Sequence, residues 1–234
     1  HVVQLGDILD AGGRGEEFQT QPLEELKIYE YLNNLNREAQ LTGGFVHYLI
    51  GNHELMNLAG DFRYVHKSHL INMQIRTKLF KPGGYIANML ACHSHGVLKI
   101  NNWFFCHAGL LPEHVQKNSI TSINNLVRNI LRGKKNIGTL SQAEENMIFS
   151  KDSFFWNRFY INNSDKCTVL NKTLDILGEA NGGMVVGHTP QYNITSQCRE
   201  KLWFADIGLS KAFDNKMFNK IQVLEIIGNK PRVL

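Results

Sequence analysis

Short apolar runs that stop at glycine alternate with a longer amphipathic stretch along the first fifty residues. Val2-Val3-Gln4-Leu5 runs into Gly6-Asp7. A glycine-rich turn (Gly12, Gly13, Gly15) leads to a stretch from Pro22 to about Gln40. There Leu23, Leu26, Tyr29 or Glu30, Leu32 and Leu35 recur at helical spacing, with Pro22 suited to a first-turn position. Thr42-Gly43-Gly44 closes that helix, and Phe45 to Ile50 is again apolar before it ends at Gly51-Asn52-His53. Strand, helix, strand in this order predicts a βαβ unit with a parallel, buried sheet.

The same grammar returns twice. Trp103-Phe104-Phe105-Cys106 ends at His107-Ala108-Gly109, and Met184-Val185-Val186 ends at Gly187-His188-Thr189-Pro190. Helical stretches lie between them, at about Ile120 to Arg132 and Ser141 to Ser150, and Leu202 to Ala205 and Ile221 to Ile227 are strand-like. In a parallel sheet, functional groups collect on the loops beyond the carboxyl ends of the strands. Asp7, Asn52, His107 and His188 stand one at each of four such ends and are therefore expected to meet. A carboxylate, an amide oxygen and two imidazoles make a mixed oxygen and nitrogen donor set. It suits a divalent ion such as Mn, Fe or Zn rather than a thiolate-bound structural zinc.

Composition narrows the class further. The 234 residues fit one large domain, and 43% hydrophobic with 20% charged residues is ordinary for a globular chain. Lys plus Arg (25) exceeds Asp plus Glu (21) by only 4, spread along the chain and densest at Lys134-Lys135. That excess argues for neither nucleic acid nor a membrane surface as partner. Cys92, Cys106, Cys167 and Cys198 show no CxxC spacing, and a chain of this size needs no disulfide framework, so the reading is a reducing, cytoplasmic compartment. No apolar run approaches the ~18 residues of a membrane span, and the first residues lack a signal pattern. The strand from His1 to Leu5 has nothing before it to pair with.

The words around the four donors are Gly6-Asp7-Ile8-Leu9-Asp10, Gly51-Asn52-His53-Glu54, His107-Ala108-Gly109 and Gly187-His188-Thr189-Pro190. In this order they resemble the motif series of the calcineurin-like metallophosphoesterases, in the phosphoprotein phosphatase branch. The longer phrases GNHELMNLAGDFRYV (Gly51 to Val65), FKPGGYIANMLA (Phe80 to Ala91) and FADIGLSKAF (Phe204 to Phe213) resemble the Shewanella-like protein phosphatases more than the animal Ser/Thr enzymes.

The resemblance implies a single α/β domain over residues 1–234, with two mixed β-sheets packed as a sandwich and flanked by helices. It implies two divalent metal ions, with Asp7 bridging them and Asn52, His107 and His188 completing the shell of the second. The implied reaction is hydrolysis of a phosphomonoester on a phosphorylated protein or peptide, at phosphotyrosine or phosphoserine/threonine, by attack of a metal-bridging hydroxide. His53 would be the general acid, oriented by Asp10.

A phosphate also needs fixed guanidinium groups, which bind two oxygens at once. Arg14 and Arg158 are the candidates, the latter in Phe155-Trp156-Asn157-Arg158, which resembles a WxR element of bacterial and phage members. In the family pattern GDxxDRG the arginine directly follows the second Asp, whereas here Ala11-Gly12-Gly13 intervene before Arg14. Arg63 could serve in place of either. The family's first motif, GDxHG, has no counterpart in these residues. The domain is therefore read as lacking its N-terminal strand and first metal motif, with only Asp7 of the first ion's ligands present.

Two other functions share parts of the pattern. A dinucleotide polyphosphate hydrolase also carries GNHE and GHTP, and a catalytically inactive binding module would follow if the first motif is truly absent. The tract Cys92-His93-Ser94-His95 is read as having no ligand role, Cys106 and Trp103-Phe104-Phe105 as core, and Arg132-Gly133-Lys134-Lys135 as a solvated loop.

Overall fold

Strand β1 (Val2–Gln4), helix α1 (Leu26–Gln40) and strand β2 (Val46–Leu49) form the expected βαβ unit in the computed structural model, which describes residues 1–10, 23–210, 213 and 221–234. Val2 is level with Val46 and Gln4 with Tyr48. A short strand, β3 (Ser94–His95), adds in parallel on the other side of β2. Helices α2 (Asn52–Ala59), α3 (Met73–Phe80) and α4 (Tyr85–His93) make the crossover between β2 and β3. Because both crossovers are helical, the described strands of this smaller sheet are all parallel. The Pro22 start expected for α1 and the Gly12 to Gly15 turn lie outside the described residues.

The larger sheet is mixed, as expected. Strands β4 (Val97–Ile100), β5 (Trp103–Cys106), β6 (Gly183–Val186), β7 (Thr195–Gln197) and β8 (Leu202–Phe204) lie in the order β4-β5-β6-β8-β7. The three central strands are parallel and the two outer ones antiparallel to their neighbours. Every residue of β6 is buried, as a central parallel strand covered on both faces requires.

Helices α5 (Pro112–Val115), α6 (Ile120–Leu131), α7 (Gln142–Ile148), α8 (Phe159–Asn162) and α9 (Lys166–Ile176) lie between β5 and β6 in the chain. Helix α6 buries Ile123, Val127, Ile130 and Leu131, one face at helical spacing, and Ser119 caps it through Ser122 N–H. Ser141 and Glu144 form a reciprocal capping box at the start of α7. A final hairpin, β9 (Leu224–Ile227) and β10 (Lys230–Val233), turns at Gly228-Asn229, both with positive φ.

Tyr48 and Ile50 from the smaller sheet share one core with Phe104, Cys106, Met184 and Val186 from the larger. Cys106 is fully buried there, as read from the sequence, and Trp103 and Phe104 are buried too. The carboxyl ends of the two sheets are tied together where His107 Nδ1 donates to the Leu5 carbonyl at 2.7 Å.

The cysteines depart from the reading of four free thiols. Cys167, in the first turn of α9, is bonded to Cys198, in the turn between β7 and β8, across 31 residues. Tertiary packing makes that pair, and no local spacing announces it. Cys92 and Cys106 are free. Among the described residues no helix is long and apolar enough to cross a membrane.

Candidate metal centre

The four expected donors converge at the carboxyl ends of β1, β2, β5 and β6. Pairing in register brings them together: Cys106 is level with Val186, so His107 and Gly187-His188 leave the larger sheet side by side. Gln4 and Tyr48 are likewise level, so Gly6-Asp7 and Gly51-Asn52 leave the smaller sheet side by side. The chain is crowded at this point. A Cβ on Gly51 would lie 2.2 Å from Asp7 Oδ1, and one on Gly6 2.7 Å from Gly51 N, so only glycine fits at either position. Asp7 (φ 56°), Asp10 (φ 68°) and His188 (φ 65°) all sit in the left-handed region, a strain of about 1–3 kcal/mol each that surrounding structure must hold.

Asn52 Oδ1 lies 2.9 Å from both His107 Nε2 and His188 Nδ1, and those two nitrogens are 3.2 Å apart. Asp7 Oδ2 is 3.2 Å from His107 Nε2. One ligand atom from each of Asp7, His107 and His188 falls within 4.8 Å of the other two. Bonds of ~2.0–2.2 Å from a single ion place neighbouring donors roughly 3 Å apart, so the cluster fits a divalent cation. His107 spends Nδ1–H on the Leu5 carbonyl, which leaves Nε2 as the ligating atom. Burial, together with the neighbouring His107, pushes His188 down to about 3 against the pull of Asp7, so its imidazole is neutral and free to bind a metal. Burial opposes charge on both His107 and Asp7. Their mutual attraction and hydrogen bond outweigh it, pushing His107 up and holding the Asp7 carboxyl far below the usual range.

A buried carboxylate that no single motif position announced holds this arrangement. Glu54, on the first turn of α2, accepts from Gly51 N (2.7 Å) and Asp7 N (2.9 Å) on one oxygen. On the other it accepts from Ile8 N (2.8 Å), Leu9 N (3.1 Å) and the Tyr29 hydroxyl (3.0 Å). These donors pin the loop that carries Asp7 to the helix that carries Asn52 and His53. The signal for it was the helix-start spacing of Gly51 and Glu54, an N-cap followed three residues later by a carboxylate.

His53 stands beside the donors. Its Nδ1 is 2.6 Å from Asp10 Oδ2, its backbone N–H donates to Asp7 Oδ1 at 3.0 Å, and its Nε2 faces Asp7 Oδ2 at 4.0 Å. Burial works against a charge on the ring. The Asp10 hydrogen bond and the charges of Asp7, Asp10 and Glu54 prevail, and the imidazole is pushed up to about 9. The Tyr64 ring packs 5.3 Å from that of His53.

Arg158 is exposed and lines the groove that opens onto the centre, where its charge helps to lower His188. Arg63 is turned away into an ion pair with Asp61 at 2.7 Å. Arg14 lies outside the described residues. Asp206 also lines the groove, its half-buried carboxyl pushed up by desolvation while Gly208 N–H donates to it at 2.9 Å. His95 packs against His47 with the rings tilted at 59° and their centres 5.6 Å apart, and it is not among the clustered donors.

No family model matches the chain. An uncharacterized protein of Acanthamoeba polyphaga mimivirus, R398, is 33% identical over 86% of this chain and 95% of its own length. Shewanella-like protein phosphatase 2 of Arabidopsis thaliana is 29% identical over 90% of the chain, and Shewanella-like protein phosphatase 1 of Plasmodium berghei 29% identical over 89%. The chain spans 62% and 57% of those two proteins. Among solved structures, a cold-active protein tyrosine phosphatase from a psychrophilic Shewanella species superposes with a TM-score of 0.80 at 24% identity, over 99% of this chain and 65% of its own. That likeness shows the fold. Matched along most of its length by relatives named for the group, and sharing its fold with the Shewanella tyrosine phosphatase, the chain belongs to the Shewanella-like phosphatases, on the calcineurin-like metallophosphoesterase fold.

Proposed function

We propose that this chain is the catalytic unit of a metal-dependent protein phosphatase that hydrolyses phosphomonoesters, with His53 as the proton donor to the leaving oxygen. One observation carries the reading. The donor atoms of Asn52, His107 and His188 lie 2.9–3.2 Å apart, Asp7 Oδ2 joins them 3.2 Å from His107 Nε2, and His53 Nε2 faces the same carboxylate from the side. Divalent cations, when bound, supply the positive charge that a phosphoryl group needs and make water acidic near neutral pH. Asp7, the one carboxylate among the four donors, is the residue suited to serve two ions.

The remaining donors of a second ion are proposed to come from outside the described residues. A groove of about 1200 Å³ runs beside Val2, Val3 and Gln4 to Asp7 and supports that reading, since among the described residues β1 pairs only with β2. Arg158, at the groove mouth, is proposed to hold phosphate oxygens, and Arg14 is proposed on its sequence position alone.

In this scheme His53 keeps its proton through Asp10 and delivers it from Nε2 to the ester oxygen. The Arabidopsis and Plasmodium relatives are named protein phosphatases and the Shewanella structure a tyrosine phosphatase, so phosphotyrosine and phosphoserine peptides are the substrates to assay first. The purified chain with Mn, Fe or Zn is expected to release phosphate from one or both, and chelation is expected to stop it. Faster cleavage of diadenosine tetraphosphate would replace this reading by the dinucleotide hydrolase. Phosphopeptide binding without turnover would replace it by the inactive module.

A further inference from the structure

Behind the His53–Asp10 pair lies a buried ionic network that the reaction scheme does not use. Asp10 gives Oδ2 to His53, and its other oxygen accepts from Asn57 Nδ2 at 3.0 Å and from Arg76 Nη2 at 3.3 Å. Arg76, on α3, has a side chain only 1% exposed. Its Nε donates to Asn57 Oδ1 at 2.7 Å and its Nη1 to Glu25 Oε1 at 2.8 Å, while Phe80 stacks on the guanidinium at 4.8 Å. His69 Nδ1 lies 3.4 Å from the other oxygen of Glu25. One guanidinium therefore serves three acceptors on three segments of the chain, none of which touches the metal donors directly.

We propose that Arg76 is the positioning residue of the proton donor. The proposal rests on the phosphatase reading for its kinetic consequences, though not for its geometry. Two features of Asp10 need the arginine. The side chain is 3% exposed and near a second buried carboxylate, Glu25, so the charge on Asp10 needs a buried cation between them. Asn57 Nδ2 and Arg76 Nη2 hold Oδ1, and that sets the direction in which the carboxylate presents Oδ2 to His53.

Arg76 holds that oxygen twice, once directly and once through Asn57. By taking Asn57 Oδ1 as its acceptor, it fixes which way the amide faces, and Nδ2 is then aimed at Asp10 Oδ1 and at the His53 carbonyl (2.9 Å). Oδ2 is left pointing at His53 Nδ1, and Nε2 is left facing the centre. Lysine cannot replace this. It is a point charge without the planar fork that reaches Asp10, Asn57 and Glu25 together.

The test combines Arg76→Met and Arg76→Lys with His53→Asn, in the metal-loaded chain, on a phosphoserine peptide and on p-nitrophenyl phosphate. If Arg76 acts through His53, Arg76→Met slows the peptide by a factor no larger than His53→Asn does, within the ~10²–10⁴ of general acid catalysis. It slows the aryl ester much less. In the His53→Asn background it costs nothing further. Arg76→Lys falls in the same direction and serves as the readout if Arg76→Met does not fold.

Independently of activity, the proton on His53 Nδ1, bonded to a carboxylate at 2.6 Å, gives a downfield NMR resonance in the parent. It is absent in His53→Asn and is lost or shifted in both Arg76 variants. Equal losses on the two esters, additive losses in the double variant, or an unmoved resonance would each overturn the proposal. A parent that hydrolyses neither ester would overturn the phosphatase reading instead, and the resonance would still decide the role of Arg76.

Discussion

Asp10 Oδ2 lies 2.6 Å from His53 Nδ1, which leaves the other ring nitrogen, Nε2, facing Asp7 Oδ2 at 4.0 Å. One carboxylate thus sets the tautomer and aim of an imidazole next to a cluster of metal donors. An alkoxide leaving from phosphoserine needs a proton; a nitrophenolate hardly does. His53→Asn is therefore expected to slow a phosphoserine peptide by about 10²–10⁴ and an activated aryl phosphate much less. Steady-state kinetics on both, with metal content measured alongside, checks this. Equal losses with both metal contents intact would make His53 an electrostatic residue.

The same residue sets a pH limb. An acid works only while protonated, and the pull of Asp10 over the cost of burial holds the His53 ring well above an ordinary histidine, at about 9. Activity on the peptide is expected to fall as pH rises through that region and to lose this limb in His53→Asn. A profile unchanged by the substitution would contradict it.

Glu54 is expected to matter for stability more than any other site residue. Glu54→Ala would strand four backbone N–H groups and a buried tyrosine hydroxyl, each costing roughly 1–3 kcal/mol when left unpaired, less whatever water replaces. Denaturant unfolding of the variant is expected to show a loss of at least ~2 kcal/mol together with weaker metal binding. A variant as stable as the parent would contradict the bracing role.

Arg158→Lys keeps the charge yet cannot offer two parallel N–H groups to a phosphate. A loss of about 1–3 kcal/mol in kcat/KM is expected. Unchanged kcat/KM in both Arg158→Lys and Arg158→Ala would remove the residue from the site.

The Cys167–Cys198 bond closes a segment of 31 residues, for which chain entropy gives about 3–4 kcal/mol of stabilisation. Thiol titration under denaturing, non-reducing conditions is expected to find two reactive groups, Cys92 and Cys106, and reductant is expected to lower Tm. Four reactive thiols would contradict the pairing.

The parallel strand ends were legible because a parallel strand is a short apolar run that a glycine stops, as at Ile50-Gly51 and Val186-Gly187. Three such stops named Asp7, Asn52 and His188, the apolar run ending at Cys106 named His107, and register did the rest. Helix α2 was not legible. Leu55, Met56 and Leu58 are all buried, and with Asn52, Glu54 and Asn57 buried as well no polar face marks the 3.6-residue period. The brace and the network behind His53 were hidden for a different reason. Glu54 reaches Ile8 across 46 residues, which its helix-start spacing from Gly51 does not announce, and Arg76 reaches Asp10 across 66 with nothing local to distinguish it from a surface charge on a helix. The Cys167–Cys198 pair was missed likewise, since the packing of α9 against the β7–β8 turn makes it.

The central claim is that Asp7 holds the metal centre. Metal analysis of the parent and of Asp7→Asn after equilibrium with Mn, read together with turnover of a phosphopeptide, tests it most directly. A neutral amide cannot offset the charge of divalent cations held close together. The parent is expected to bind Mn stoichiometrically and turn over, and Asp7→Asn to lose metal and activity while keeping its fold by circular dichroism. Undiminished metal content and near-normal turnover in Asp7→Asn would contradict the assignment.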